Sequence, residues 1–109
     1  RVWSLDAGFE GQTFAQGVSE DVRSFASCLT LPYCGINSGF EATRWLDDSA
    51  TVLSTALIPL RAGEDTDAFG LLVLGSPDPT RYTADMGTEF LTRIGEVASA
   101  GLSRLRAAA

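Results

Sequence analysis

The chain has 109 residues, the size of one ordinary domain, and its 45% hydrophobic and 20% charged residues are typical of a folded globular protein. Eight basic residues face fourteen acidic ones, and the net charge of −6 disfavours direct binding to nucleic acid or to an anionic membrane surface. Histidine is absent, which excludes Ser-His-Asp and Cys-His catalysis, the common zinc spacings and histidine-ligated haem within this sequence.

The first predicted elements precede residue 30. An extended run at Val2–Leu5, followed by several glycines, predicts a hairpin or a strand–loop–strand unit near the N-terminus. From Val18 the apolar spacing becomes that of an amphipathic helix. Ser19 is its predicted N-cap, and Glu20 and Asp21 follow where the helix dipole favours negative charge. The apolar stripe of this helix consists of Val18, Val22, Phe25, Ala26 and Leu29.

A loop with room for a short strand follows the predicted helix. Leu31-Pro32 ends the helix, because the residue before proline avoids the helical conformation. Ser38 and Glu41 have the spacing of a capping box, which predicts a brief helix that ends at Asp47-Asp48. The sequence therefore predicts a second, shorter helix before the main strands.

Two strands form the predicted centre of the domain. Thr51 to Leu60 is rich in β-branched and apolar residues, with Pro59 expected at a bulge, an edge or the strand end. Ala68 to Ser76 is apolar on both alternations, which predicts a central strand covered on both faces. We expect these two strands to pair as a hairpin with a long polar loop.

A long amphipathic helix closes the chain. Thr83 is its predicted cap, and Asp85 lies in its first turn. Gly87, Gly95 and Gly101 each cost about 1 kcal/mol relative to alanine, so we expect the sheet or another chain to pack closely there. The predicted inward stripe consists of Met86, Phe90, Ile94, Val97, Leu102 and Leu105.

This order of elements resembles the GAF fold. The likeness is greatest at Ala56–Leu60 and Phe69–Ser76, which are followed by a Pro-Asp-Pro turn and the terminal helix. The resemblance implies an α+β domain, with a central antiparallel sheet, helices packed on it and a long C-terminal amphipathic helix. GAF domains bind small molecules or dimerise. The signatures of the cyclic-nucleotide and phytochrome types are missing here, so neither of those ligands is implied.

A narrower resemblance is to the proteobacterial family called domain of unknown function 484, and it covers about residues 31 to 106. It implies a GAF-like domain that follows an N-terminal helical segment in a bacterial cytoplasm, with no known ligand. We therefore expect residues 1–109 to form a single GAF-like domain, the C-terminal part of a longer protein whose N-terminal helical segment is absent from this sequence. The residues that carry this likeness are Cys34-Gly35, Ser54–Leu60, Leu74–Ser76, Met86–Thr88 and Phe90-Leu91.

The resemblance implies a non-catalytic regulatory, sensory or dimerisation module with an unidentified small-molecule ligand. Tyr33, Cys34, Trp45 and Ser54 are the predicted ligand-binding residues, with Phe40 beside them, although aromatic residues at such spacing are commonly core. We also expect a homodimer formed through helices. No metal site is predicted, because the acidic pairs Asp47-Asp48 and Glu64-Asp65, with Asp67, do not match the EF-hand pattern.

Two alternatives remain open. In one, Cys34 and Cys28 serve a redox enzyme of the free methionine sulfoxide reductase type, which requires an activated thiolate. In the other, the domain is purely structural. Two cysteines are too few for a disulfide-stapled secreted domain, which favours a reducing, cytoplasmic setting.

Overall fold

The computed structural model describes residues 1–3, 17–29, 31–46, 49–61, 68–83 and 88–102. Helices α1 and α2 are formed by Glu20–Cys28 and Thr88–Leu102, and strands β1, β2 and β3 by Tyr33–Ile36, Ser54–Leu60 and Gly70–Ser76. Two short 3₁₀ helices, Glu41–Trp45 and Ser49–Thr51, lie between β1 and β2. None of these helices is both long enough and apolar enough to cross a membrane. The predicted α+β class, with an antiparallel sheet and a helix near the C-terminus, is confirmed.

Several sequence-based predictions fall on residues outside these ranges. They concern the return of the first hairpin, the Asp47-Asp48 helix end, the loop with Glu64-Asp65 and Asp67, and positions 85 to 87 and 105.

Strand β2 is the central strand among those described. The sheet order is β1-β2-β3, with both pairs antiparallel. Strand β3 is the outer strand of this order, and the prediction that it is central stays a prediction, because residues 4–16 lie outside the described ranges. The first residue of β3, Gly70, is bridged by Val2 on the side away from β2, so β3 has a second neighbour at its start among the described residues. Pro59 is the sixth residue of β2, beyond Leu57 where the pairing with β1 ends, and so lies near the strand end as predicted.

The strand register divides the sheet into two faces. Residues directly opposite one another in an antiparallel pair project to the same face. One row across the sheet is Tyr33, Leu57 and Val73, and the adjacent row is Cys34, Ala56 and Leu74. The first row packs with α1 and the first 3₁₀ helix, and the second with α2. Helices therefore cover both faces of the sheet.

Helix α1 begins as predicted. The Ser19 hydroxyl accepts a hydrogen bond from the Val22 N–H at 3.2 Å. Its other end has no basic residue in the last turn, and the Arg61 guanidinium, from the end of β2, donates instead to the carbonyls of Ala26 and Ser27 at 3.2 and 2.9 Å. A cation at a helix C-terminus interacts favourably with the helix dipole.

Helix α2 turns a different side to the sheet from the predicted one. Its most buried residues include Leu91, Gly95 and Ser99. Phe90 and Val97, which were predicted to face inward, are each 70% exposed. A Cβ built on Gly95 would come within 2.7 Å of Ile58 Cγ2, so the sheet fixes which side of α2 faces inward. The predicted close approach of the sheet to a helix glycine is confirmed at Gly95.

Candidate ligand-binding groove

A groove of about 250 Å³ opens between α1 and the first 3₁₀ helix. We call it the α1 groove. It is lined by Asp21, Val22, Phe25, Phe40, Glu41 and Ala42. Val22 and Ala42 are buried at its floor, while Phe25 and Phe40 are half-buried and form its aromatic wall. The two carboxylates belong to exposed residues at the rim.

The wall is built from aromatic contacts that cross between elements. The rings of Phe25 and Phe40 lie 5.6 Å apart between centroids, and the ring of Tyr33 meets Phe40 edge-on at 4.9 Å. Such tilted and edge-to-face pairs are favourable beyond the area they bury. The cluster therefore couples α1, β1 and the turn before the 3₁₀ helix.

Asn37 shapes the turn that presents Phe40. Its side-chain oxygen accepts hydrogen bonds from the backbone N–H groups of Gly39 and Phe40, at 3.2 and 3.4 Å. Its side-chain nitrogen donates to the Val52 carbonyl at 3.1 Å, which ties the turn to the segment before β2. Asparagine side chains commonly organise turns in this way.

The predicted capping box is therefore wrong. The N-cap position of the 3₁₀ helix is Phe40, which makes no side-chain capping bond, and Ser38 is exposed. Glu41 instead accepts a hydrogen bond from the Ser19 hydroxyl at 2.6 Å. This contact joins the N-terminus of α1 to the start of the 3₁₀ helix, directly at the groove rim.

Tyr33 and Trp45 are on the face of the sheet that carries the α1 groove, but they do not line it. The Tyr33 hydroxyl donates to the Ile36 carbonyl at 2.8 Å, and its ring supports Phe40. Trp45 packs against the same hydrophobic cluster and donates from Nε1 to the Gly17 carbonyl at 3.1 Å. Both residues therefore pack in the hydrophobic cluster behind the side chains that line the groove.

Ser54 and Cys34 belong to the opposite face of the sheet. The Ser54 hydroxyl is fully buried, donates to the Asp78 carbonyl at 2.6 Å and accepts from the Tyr82 N–H at 3.3 Å. It holds the turn after β3 and does not point toward the α1 groove. The structure thus separates the four predicted ligand-binding residues into two pairs.

The two cysteines are also separated by the sheet. Cys28 is exposed at the end of α1, whereas Cys34 is buried in the cluster under α2. Burial raises the pKa of the Cys34 thiol, and a hydrogen bond with the Thr83 backbone partly opposes that rise. Desolvation therefore disfavours the thiolate, the form that a nucleophilic cysteine requires.

Within the described ranges, no three acidic or cysteine side chains are grouped so that they could hold a metal ion. The expectation that the domain uses neither haem nor zinc stays a prediction.

Sequence reasoning pointed to Phe40 but missed the other lining residues of the groove. Phe25 was placed in the core stripe of α1, and Asp21 and Glu41 were given roles at helix ends. Their only sequence signal is that Asp21 and Phe25 lie four residues apart in α1, while Phe40 and Glu41 adjoin at the start of the 3₁₀ helix. That signal becomes meaningful only once α1 and the 3₁₀ helix lie side by side.

No curated protein and no solved structure matches the chain significantly. The family model described as "Protein of unknown function, DUF484" matches residues 16–106, which include both helices and the whole sheet. The resemblance seen in the sequence is thus confirmed at the level of the family. The chain belongs to the DUF484 family.

Proposed function

We propose that this chain is a non-catalytic, GAF-like regulatory module, and that a small molecule binds in the α1 groove. The observation that carries the proposal is the groove itself, an apolar, aromatic-walled depression with two carboxylates at its rim. Ligand sites are typically concave, mostly apolar and furnished with a few polar groups.

The size of the groove limits the ligand. Its volume of about 250 Å³ lies just below the usual range of roughly 300–1,000 Å³ for drug-sized ligands. The ligand is therefore expected to be small, about one ring with its substituents. The Phe25 and Phe40 rings offer it an apolar contact surface.

The charge of the rim limits the ligand further. Asp21 and Glu41 are the ionisable residues among those that line the groove, and both are acidic. An anionic ligand would meet like charges there, whereas an amine would meet complementary ones. The proposed ligand class is thus an uncharged or cationic compound with an apolar ring.

The proposed mechanism is a population shift. A ligand in the α1 groove contacts α1 and the 3₁₀ helix together, so it favours the arrangement in which these elements are packed closely. A ligand shifts such an equilibrium only by its differential affinity for the two states. The hydrogen bond between Ser19 and Glu41 also joins α1 to the 3₁₀ helix. It would therefore shorten when these two elements pack closely and lengthen when they separate.

The two alternatives receive less support. The reductase hypothesis requires cysteines that cooperate and an activated thiol, whereas Cys28 and Cys34 are on opposite sides of the sheet and the pKa of Cys34 is raised. A purely structural role would be favoured if no compound stabilised the domain. A cytoplasmic, bacterial setting is part of the proposal, and the small number of cysteines supports a reducing compartment.

Thermal unfolding with three compounds of one shape tests the proposal. Benzylamine, benzyl alcohol and benzoate carry the same ring with a positive, a neutral and a negative group. We expect benzylamine to raise Tm most and benzoate least. Occupancy at ten times Kd stabilises by about 1.4 kcal/mol, and each 1 kcal/mol is roughly 4–8 °C for a domain of this size.

Glu41→Gln keeps an oxygen that accepts from Ser19 but removes the rim charge, so it should reduce the advantage of benzylamine over benzyl alcohol. Glu89→Gln, which removes an exposed charge on α2, is the matched control and should leave that advantage intact. If none of the three compounds raises Tm at millimolar concentration, the ligand-binding proposal fails and the structural alternative gains.

A further inference from the structure

The α1 groove carries its charge at the rim. Asp21 and Glu41 are exposed there, and the rest of the described lining is apolar or aromatic. The net charge of −6 adds to the attraction that these two carboxylates exert on a cation. Arg23, the basic residue of α1, contacts other groups, since its Nη1 lies 3.7 Å from Glu20 Oε1 and its guanidinium 6.0 Å from the centre of the Trp3 ring. The electrostatics therefore favour a cation over an uncharged ligand.

Several hydrogen-bond acceptors around the groove are already occupied. The Phe40 carbonyl accepts from the backbone N–H and the hydroxyl of Thr43, at 3.2 and 2.7 Å. The Ser19 carbonyl accepts from the Arg23 N–H at 3.1 Å, and the Glu41 carboxylate accepts from the Ser19 hydroxyl at 2.6 Å. A primary ammonium group has three N–H donors and is strongly hydrated in water. Inside the groove it would lose that hydration without gaining three acceptors, which costs free energy.

The aromatic wall suits a cation that carries no N–H. The Phe25 and Phe40 rings are half-buried, lie 5.6 Å apart between centroids and are inclined by 39° to each other. A cation is attracted to an aromatic face when it lies within about 6 Å of the ring centre. Because the two ring centres are closer together than that, a single cationic group can contact both rings.

We infer that the ligand of the α1 groove is a methylated ammonium compound. Its N-methyl groups contact the aromatic wall of Phe25 and Phe40, and its charge is balanced by Asp21 and Glu41 at the rim. Methyl groups in place of N–H donors remove the need for acceptors within the groove. Aromatic rings recognise such cations through their negative faces. The inference rests on the function proposed above and narrows its ligand class to this kind of cation.

Titration of the full chain with two molecules of one shape tests the role of the charge. Choline carries a trimethylammonium group, and dimethylbutanol has a carbon atom in place of that nitrogen and no charge. We expect the Kd of choline, measured from the NMR shifts of the Val22, Phe25 and Glu41 amides, to be at least about fivefold lower. Equal values would show that only apolar contact is used and would overturn the inference.

A second pair of compounds separates this inference from the ligand-binding proposal. Benzyltrimethylammonium and benzylamine carry the same ring and the same charge, and only benzylamine has N–H donors. We expect benzyltrimethylammonium to bind at least about fivefold more tightly, because it leaves no donor unsatisfied. If benzylamine or benzyl alcohol binds and benzyltrimethylammonium binds no more tightly, the inference fails while the groove remains a ligand site. If none of the compounds binds, the ligand-binding proposal itself fails.

Substitution of the wall separates recognition by aromatic rings from apolar contact. Phe25→Leu and Phe40→Leu keep an apolar side chain without an aromatic face, so the ratio of the Kd of dimethylbutanol to that of choline should fall at least about twofold. Phe90→Leu is the matched control, because Phe90 is 70% exposed on α2, and it should leave the ratio unchanged. The ratio is taken within each folded variant, so a general loss of affinity does not imitate the effect. An unchanged ratio in both wall variants would overturn the inference.

Glu41→Gln tests the rim while the aromatic wall stays intact. It keeps an oxygen that accepts from Ser19 but removes the charge, so the same ratio should fall at least about twofold. An unchanged ratio in this variant would contradict the part assigned to the rim carboxylates.

Discussion

Helix α1 turns its large apolar side chains toward the sheet and the α1 groove, whereas helix α2 keeps two of its largest ones in solvent. In α1, Val22 and Ala26 are buried and Phe25 is half-buried. In α2, Leu91 is buried but Phe90, the residue before it, is exposed. The comparison teaches that a helix with few apolar residues can orient in one way only, while a helix with many leaves the choice to local contacts.

The deciding contact in α2 is made at Gly95. Its backbone approaches β2 so closely that a methyl group there would meet the branched side chain of Ile58. Gly95 therefore sets the side of α2 that faces inward, and Phe90 and Val97 are left in solvent. In α1 the corresponding role is played by its cap and by Arg61, which fix both ends of the helix.

Substitution of the two glycines should give the largest contrast. Gly95→Ala is expected to lower the free energy of unfolding by about 1–3 kcal/mol, because the Cβ overpacks against Ile58. Gly101→Ala, with open space around its Cβ, should raise it by about 0.5–1 kcal/mol through helix propensity. Urea unfolding followed by circular dichroism measures both. Changes of the same sign would refute the claim that Gly95 orients α2.

The N-terminus of α1 should show a smaller effect. Ser19→Ala removes the cap of α1 and the hydrogen bond to Glu41, so we expect a loss of about 1 kcal/mol, within a range of roughly 0.5–2. Ser38→Ala is the matched control, because Ser38 is exposed and does not cap the 3₁₀ helix, and its effect should stay within about 0.5 kcal/mol. Equal losses in the two variants, measured by urea unfolding, would restore the capping-box prediction.

The pH dependence of the free energy of unfolding tests the burial of Cys34 under α2. Because burial under α2 raises the folded-state pKa of Cys34 above its ordinary value of 9.0, the unfolded chain ionises first as pH rises. The stability from this neutral thiol is complete below that ordinary pKa and is lost as pH rises through the folded-state value. Cys34→Ala should therefore show a shallower fall in stability above about pH 9 than the wild type.

A thiol reagent provides the companion measurement. At neutral pH, Cys28 on α1 should react quickly because it is exposed, and Cys34 slowly until the chain is unfolded. Rapid modification of Cys34 in the folded protein would contradict its burial and would revive the reductase hypothesis.

Much of the fold could be predicted from local patterns. The Ser19 cap and the four-then-three spacing of Val18, Val22 and Phe25 predicted α1. The pairing of β2 with β3 followed from two apolar runs joined by one polar loop. The order of the strands was harder. Apolar residues on both alternations of β3 indicate that both faces are covered, as they are, but they do not indicate how many strands flank it.

The candidate site was less predictable. The aromatic residues near β1 were recognised, and Tyr33 does contact the wall of the α1 groove. Phe25 was assigned to the core instead, because its spacing fits the stripe of α1 and nothing local distinguishes a groove wall from a core position. Ser54 was assigned to the wrong side, because the side of a strand that a residue faces depends on which helix covers that side.

The sequence by itself determined the elements of this protein, the cap of α1, the antiparallel hairpin and the family, because each depends on residues that are near one another along the chain. The tertiary structure alone decided the orientation of α2, the position of Arg61 at the end of α1 and the composition of the α1 groove. These features depend on contacts between residues far apart in the chain, such as Gly95 with Ile58 and Phe25 with Phe40. The spacing of apolar residues in the sequence indicates that a segment is helical and which sides of the helix are apolar. Only the shape of the opposing surface selects which of those apolar residues are buried.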